Sequence, residues 1–378
     1  MSGSPAANVR QLRVAIVHPF LIGRGGGEKV IDALADIFPR AEFFTVLLDR
    51  ATLPSTYNGR TIQTSFLNHG GAFAWRHYQH LSPLYDLAAA RHDLSGFDLV
   101  ISSGGPGAKT VRVPKGVPHV HYCHSPVRYL WDQYDVWLSR LPAVLRPVFA
   151  ASVRAQRRRD LAAAHSVDAF IANSDYIGAR IRRYYDRESV TVYPPVELST
   201  VAPAQVDGDY FLTVGRLVPG KRTELVIEAC NLLGRRLLVA GGGPELMKLQ
   251  HMAGPSVEVL GRVSDQRLAA LYANARAFLF AADEDFGIAT VEAQSHGLPA
   301  IAYAHGGSLE ILSDTASPPD AVFFREQTAQ AIAHAILRFE SMERTFDRQA
   351  IQRRADRFAP SNFADGILEV VQGVISPK

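Results

Sequence analysis

The chain has 378 residues, 47% of them hydrophobic and 20% charged, with a formal net charge of +3. That length exceeds what one hydrophobic core usually serves, so two domains are expected, and the near-neutral balance gives no ground for a nucleic-acid partner. Two cysteines, no apolar run long enough to span a membrane and an opening, MSGSPAANVRQ, without an apolar core argue against a disulfide framework or a secretion signal, so a cytoplasmic protein is expected, at most peripheral on the inner face of the cell membrane.

In chain order, LRVAIVH (12–18) reads as a buried strand, followed by a glycine loop and the helix EKVIDALADIF. AEFFTVLL is a second strand, and an irregular, aromatic-rich stretch follows around Trp75 to Tyr85. DLVISS and PHVHYCH are further strands, PAVLRPVFAASVRAQRRRDLAAAHS a long helix, and DAFIANS another strand. The rhythm breaks at YPPVELSTVAPAQVDGD, proline-rich and without periodicity, which is the predicted linker. A second alternating series runs through YFLTVGR, RRLLVAG, VEVLG, RAFLFAA, PAIAYA and AVFF, and SNFADGILEVVQGVI is an amphipathic terminal helix. Strands alternating with helices predict an α/β protein of two doubly wound, Rossmann-like domains facing across a cleft. The expected bounds are 1–195 and 196–355, with 356–378 packing back towards the first domain.

Several loops at strand carboxyl ends carry chemistry. The first is Gly23-Arg-Gly25-Gly26-Gly27-Glu28-Lys29, where glycines let backbone approach a phosphate or sugar beside a helix start. Glu28 breaks the dinucleotide fingerprint, although Asp49 keeps that reading open, as does a purely structural turn. Gly215-Arg-Leu-Val-Pro-Gly-Lys221-Arg222 has P-loop spacing but lacks the Ser or Thr that would hold magnesium. It retains Arg216 and Lys221, two cations suited to a diphosphate neutralised without metal. Glu284-Asp-Phe286-Gly287-Ile288 leaves a strand and enters a helix that carries Glu292, with amides of Gly287 and Ile288 at its start. Asp283, Glu284 and Asp285 also admit a metal reading.

In Pro118-His-Val-His-Tyr-Cys-His124-Ser-Pro-Val-Arg128-Tyr-Leu-Trp131-Asp132, His124 ends a strand and can meet a sugar hydroxyl or a developing charge. A metal site with His119 and His121, a Cys123 nucleophile and a buried structural histidine are the alternatives. Gly241-Gly-Gly243 and Gly261-Arg262-Val263 are candidate loops or plain turns. The arginines 154, 157, 158, 159, 180, 182 and 183 form either a solvated face or a surface for an anionic membrane or a diphosphate-bearing acceptor.

Taken together, the Glu-x7-Glu segment, the Arg216…Lys221 pair, the GGGEK loop and CHSPVRYLWD resemble the retaining glycosyltransferase family 4 over nearly the whole chain. The resemblance implies a GT-B fold and metal-independent transfer with retention of configuration, in which the leaving phosphate takes the acceptor's proton. It implies that Arg216 and Lys221 neutralise the donor diphosphate, with Gly26, Gly27, Glu28 and Gly243 alongside. Glu284, Phe286, Gly287 and Ile288 would hold sugar and phosphate, Glu292 the ribose, and Val263 the base. His124 would contact the sugar at the transition state. The phrases YCHSPVRYLWD and YPPV look most like bacterial mannosyltransferases that use GDP-mannose and a polyprenyl-diphosphate-linked acceptor in O-antigen or exopolysaccharide assembly. Arg128, Arg154, Arg157 and Arg158 are then candidate contacts to acceptor or inner membrane surface. A UDP-sugar transferase, a GT-B nucleotide-sugar epimerase and a non-catalytic binding module are the competing expectations.

Overall fold

The computed structural model describes residues 9, 11–23, 25–203 and 208–376; Arg24 of the glycine loop, residues 204–207 of the linker and residues 1–8 of the opening lie outside them. The chain divides into two compact units, residues 1–195 with 360–378 and residues 196–359.

Unit 1 is a seven-stranded sheet of β1 (Val14–Val17), β2 (Glu42–Thr45), β3 (Ile62–Thr64), β4 (Leu99–Ser103), β5 (His119–Cys123), β6 (Ala169–Ala172) and β7 (Ser189–Thr191). Its order is β3-β2-β1-β4-β5-β6-β7 and every pairing is parallel. Side chains alternate across a strand, so β1 serves two layers. Val14 and Ile16 pack with Val30, Ile31 and Leu34 of helix α1 (Gly26–Ile37), whereas Ala15 and Val17 pack with Tyr85 and Ala88 on the other face. The stretch expected to be irregular around Trp75 to Tyr85 is helical in short pieces, Gly71–Arg76, Tyr78–Leu84 and Tyr85–Ala89, and supplies that second layer. The edge strands β3 and β7, three residues each, have no counterpart among the predicted elements.

Helix α2 (Tyr134–Arg140) and the long helix α3 (Arg146–Ser166) follow β5. The terminal helix belongs to this unit: Phe363, Ile367 and Val371 join the core formed by α1 and β1.

Unit 2 has strands β8 (Phe211–Val214), β9 (Leu237–Ala240), β10 (Val257–Gly261), β11 (Phe278–Phe280), β12 (Ala300–Tyr303) and β13 (Ala321–Phe324). They are parallel, in the order β10-β9-β8-β11-β12-β13. Helices α4 (Thr223–Leu233) and α5 (Ile288–Ser295) leave β8 and β11, the two central neighbours. In both sheets the strand order reverses at one place, between β1 and β4 and between β8 and β11. Open parallel sheets take ligands at the carboxyl ends of such neighbours, because the two following connections part there.

Candidate active site

At the reversal of the first sheet, His18 follows β1, Ser103 ends β4 and His124 follows β5. His18 Nδ1 stands 2.9 Å from the carbonyl oxygen of Ser103, and Ser103 Oγ 2.9 Å from His124 Nε2. A carbonyl only accepts, so His18 Nδ1 carries the proton and its Nε2 the lone pair. The imidazoles meet edge to face with centroids 6.3 Å apart. Gly27, in the first turn of α1, lies against both: a Cβ there would sit 3.7 Å from His18 Cε1 and 3.8 Å from His124 Nε2. Burial lowers His18 to about 4. Burial, with His18 close by, lowers His124 to about 3. Both rings are therefore neutral at pH 7 and present hydrogen-bonding atoms without charge. Gly26 is exposed and Glu28 half-buried on the same helix start.

The three histidines of the metal alternative do not share one partner. His119 Nε2 and His121 Nδ1 converge on the hydroxyl of Ser102, at 2.7 and 2.8 Å, inside the sheet, whereas His124 is bonded to Ser103. Burial, with Lys109 nearby, pulls His119 down to about 4 and His121 well below the ordinary range. Among the described residues no three His, Cys, Asp or Glu side chains are grouped to hold a metal ion.

The arginines read as either a solvated face or a membrane or acceptor surface are divided by the fold. Arg157 donates from Nε to the carbonyl of Leu130 and covers the rings of Trp131 and Tyr134, at 5.3 and 4.9 Å. It braces the 128–134 loop from within the unit. Arg159 pairs with Asp86 at 2.9 Å and Arg180 with Asp132 at 2.8 Å. Arg154 and Arg158 are exposed, and Arg128 lies half-buried four residues past His124. Beneath this loop Lys109 and Asp160 form a buried ion pair; Trp131 Nε1 donates to Asp160 at 3.0 Å and Lys109 to Tyr185 Oη at 3.2 Å.

At the reversal of the second sheet, the loop after β8 and the loop after β11 leave side by side, and Lys221 Nζ is ion-paired with Glu284 Oε1. Sequence reasoning gave these two separate tasks; the fold joins them. Arg216 is exposed and makes no ion pair among the described residues. Asp283 is bonded to His305 Nδ1 at 2.9 Å. Gly287 caps α5 with φ +109°, a conformation that side chains resist, and among the described residues no side chain caps the first turn of α5. Glu292, one turn into α5, accepts from the buried Tyr272 hydroxyl at 3.3 Å. Tyr272 also stacks on His296, 5.2 Å between centroids.

The Gly241–Gly243 turn has a packing reason. Gly241, at φ +144°, lies on the carbonyl of Gly215, and Gly243 on that of Leu217, so a side chain at either would strike the Lys221 loop. Leu217 donates to the Gly242 carbonyl at 3.0 Å and Glu245 to that of Leu217 at 3.1 Å, locking the two turns together. Val263 is half-buried two residues past β10.

Comparison with known proteins identifies the architecture. Residues 24–200 match the model of Glycosyltransferase Family 4 and residues 198–357 that of Glycosyl transferases group 1. The chain belongs to the family 4/group 1 glycosyltransferases. A D-inositol 3-phosphate glycosyltransferase of Frankia alni is 29% identical over 257 residues, 61% of this chain and 63% of that protein. The match thus spans less than two thirds of that relative's length. Sucrose-phosphate synthase from Thermosynechococcus elongatus superposes with a TM-score of 0.73 at 18% identity, covering 96% of this chain and 99% of that one. Anabaena HepE in complex with UDP gives 0.69 at 15% identity, covering 96% and 100%. Likeness at this identity concerns the fold, which is GT-B.

His18 and Ser103 of this glycosyltransferase were missed in the sequence, as was the Lys109–Asp160 pair. Both site residues stand at carboxyl ends of the strands flanking the reversal, so strand order was the signal that would have found them.

Proposed function

We propose that the protein transfers a sugar, most simply mannose from GDP-mannose, to a lipid-linked oligosaccharide acceptor, with retention of configuration and without a metal ion. The observation that carries this reading is the pairing of Lys221 with Glu284 beside the α5 start. An ammonium has three donors, so Lys221 can hold the Glu284 carboxylate and a phosphate oxygen together. In this reading Arg216 and Lys221 neutralise the departing diphosphate, helped by the Gly287 and Ile288 amides at the positive end of α5. Glu284 and Phe286 position the sugar, Glu292 accepts from the ribose hydroxyls, and Val263 meets the base through its backbone.

Gly26, Gly27 and Glu28 accompany the donor, Gly243 keeps the Lys221 loop in place, and neutral His124 contacts the sugar, with Arg128 towards the acceptor. The carboxylates bind and orient; the leaving phosphate oxygen takes the proton of the acceptor hydroxyl as the new glycosidic bond forms. A UDP-sugar donor is the second reading, favoured by the UDP bound to HepE. Thermal-shift titration with GDP, UDP and ADP separates the two, since a ligand of the native state raises its melting temperature. GDP is expected to give the largest rise and Glu292→Ala to remove it. A UDP-only response moves the assignment to the second reading, and no response to any nucleotide overturns both.

A further inference from the structure

Helices α2 and α3 form a hairpin in unit 1. Tyr134 and Phe149 stack across it, 6.0 Å between centroids and 12° from parallel. Arg146 closes the bend, donating from Nε to the Leu141 carbonyl at 3.1 Å. Residues 142–148 at the tip, PAVLRPV, are exposed without a break. Val144 is 81% exposed, Val148 69%, Leu145 49%, Val136 48% and Trp137 40%. From 136 to 159 the chain holds six arginines and no acidic residue; Asp135 stands just before this run and Asp160 just after it. A soluble surface seldom gathers so many large apolar side chains in one short stretch.

The structure assigns this hairpin tip as a docking element for an anionic phospholipid surface. Trp137, Val144, Leu145 and Val148 enter the headgroup boundary, and Arg140, Arg146, Arg154 and Arg158 meet the lipid phosphates. Exposed apolar side chains interspersed with arginines in a stretch without acid are what a charged bilayer selects, the one burying in the interface and the other drawn by the surface potential. Within the 154–159 stretch the basic contact is thereby confined to Arg154 and Arg158, since Arg157 and Arg159 are engaged within the unit, and it extends to Arg140 and Arg146 at the hairpin tip. The bend is already ordered by Arg146 and by the Tyr134–Phe149 stack, so docking requires no folding of the segment.

The inference rests on the reading of a membrane-borne acceptor for its biological sense, but its test uses neither donor nor acceptor. The full chain is sedimented with phosphatidylcholine vesicles with and without phosphatidylglycerol, alongside V144E/V148E and R140E/R154E, all at exposed positions. Wild type is expected to bind the anionic vesicles, and each double variant to bind about tenfold less, with unchanged melting temperature. Brominated lipid chains are expected to quench tryptophan fluorescence in wild type and to lose that part of the effect in W137F. Wild type left in the supernatant, or V144E/V148E binding as well as wild type, overturns the assignment. So does a concentration-dependent dimer abolished by V144E/V148E without vesicle binding, which would give the tip to a second copy. An intact GDP or UDP thermal shift in a protein that ignores vesicles removes the docking element and leaves the transferase reading standing.

Discussion

The two sheets reverse their strand order in the same way, yet the side chains placed at the two reversals are opposites. Unit 1 offers His18, Ser103 and His124, linked in a row and uncharged at pH 7. Unit 2 offers Lys221 against Glu284, with Glu292 a turn beyond the Gly287 cap. Burial explains the first: desolvation disfavours an imidazolium, and no carboxylate bonded to either ring restores it. Partial exposure explains the second, since the Lys221 and Glu284 side chains keep 28% and 23% of their surface in water and can stay charged. A fold that repeats its architecture thus places charged side chains at one reversal and uncharged hydrogen-bonding ones at the other; in the proposed reading the first neutralise the diphosphate and the second meet the sugar.

The largest expected effect tests whether unit 1 tolerates charge where it is paired. Asp160→Ala leaves Lys109 buried without its carboxylate, with Tyr185 beside it, and should cost about 3–5 kcal/mol of unfolding free energy, measured by denaturant titration; a loss near zero would show that the pair contributes nothing. Next, Lys221→Ala should lower kcat/KM for sugar transfer about 100-fold or more with circular dichroism unchanged. If His124→Ala proved more damaging than Lys221→Ala, the division of tasks would be wrong. His124→Ala itself should cost about tenfold, the scale of one hydrogen bond.

A smaller effect concerns acid. His18, His119 and His124 have folded pKa values of about 4, 4 and 3, below the unfolded value of about 6.5. Between those limits the unfolded chain binds more protons, so stability should fall as pH drops from about 6.5 towards 4 and be fully present above that window. His18→Gln should flatten this slope in melting curves from pH 7 to 4, and an unaltered slope would place the proton uptake elsewhere. The smallest effect is none: if Arg216 and Lys221 neutralise the diphosphate as proposed, turnover should be unchanged in EDTA, and EDTA-sensitive turnover would remove the metal-free reading.

Much of this protein was legible in its sequence. Short apolar runs such as VAIV and FLTV, alternating with helical segments, read as buried parallel strands, and the glycine and proline ending at Gly297 and Pro299 bounded α5. The motif carrying Arg216 and Lys221 and that carrying Glu284 and Glu292 were legible because each follows a readable strand, and the fold brings Lys221 and Glu284 together at the reversal of the second sheet. The neutral cluster of unit 1 was only partly visible. His18 and Ser103 are 85 residues apart and become partners because β1 and β4 are adjacent, a strand order that local periodicity does not encode. For the same reason the seven arginines were left open between a solvated face and a surface for membrane or acceptor, whereas the fold turns Arg157 onto aromatic rings and gives Arg159 and Arg180 to carboxylates. Periodicity and turn chemistry determine which segments become strands, helices and loops; which distant side chains share a pocket, and hence which charges survive, is decided only when the sheet orders its strands.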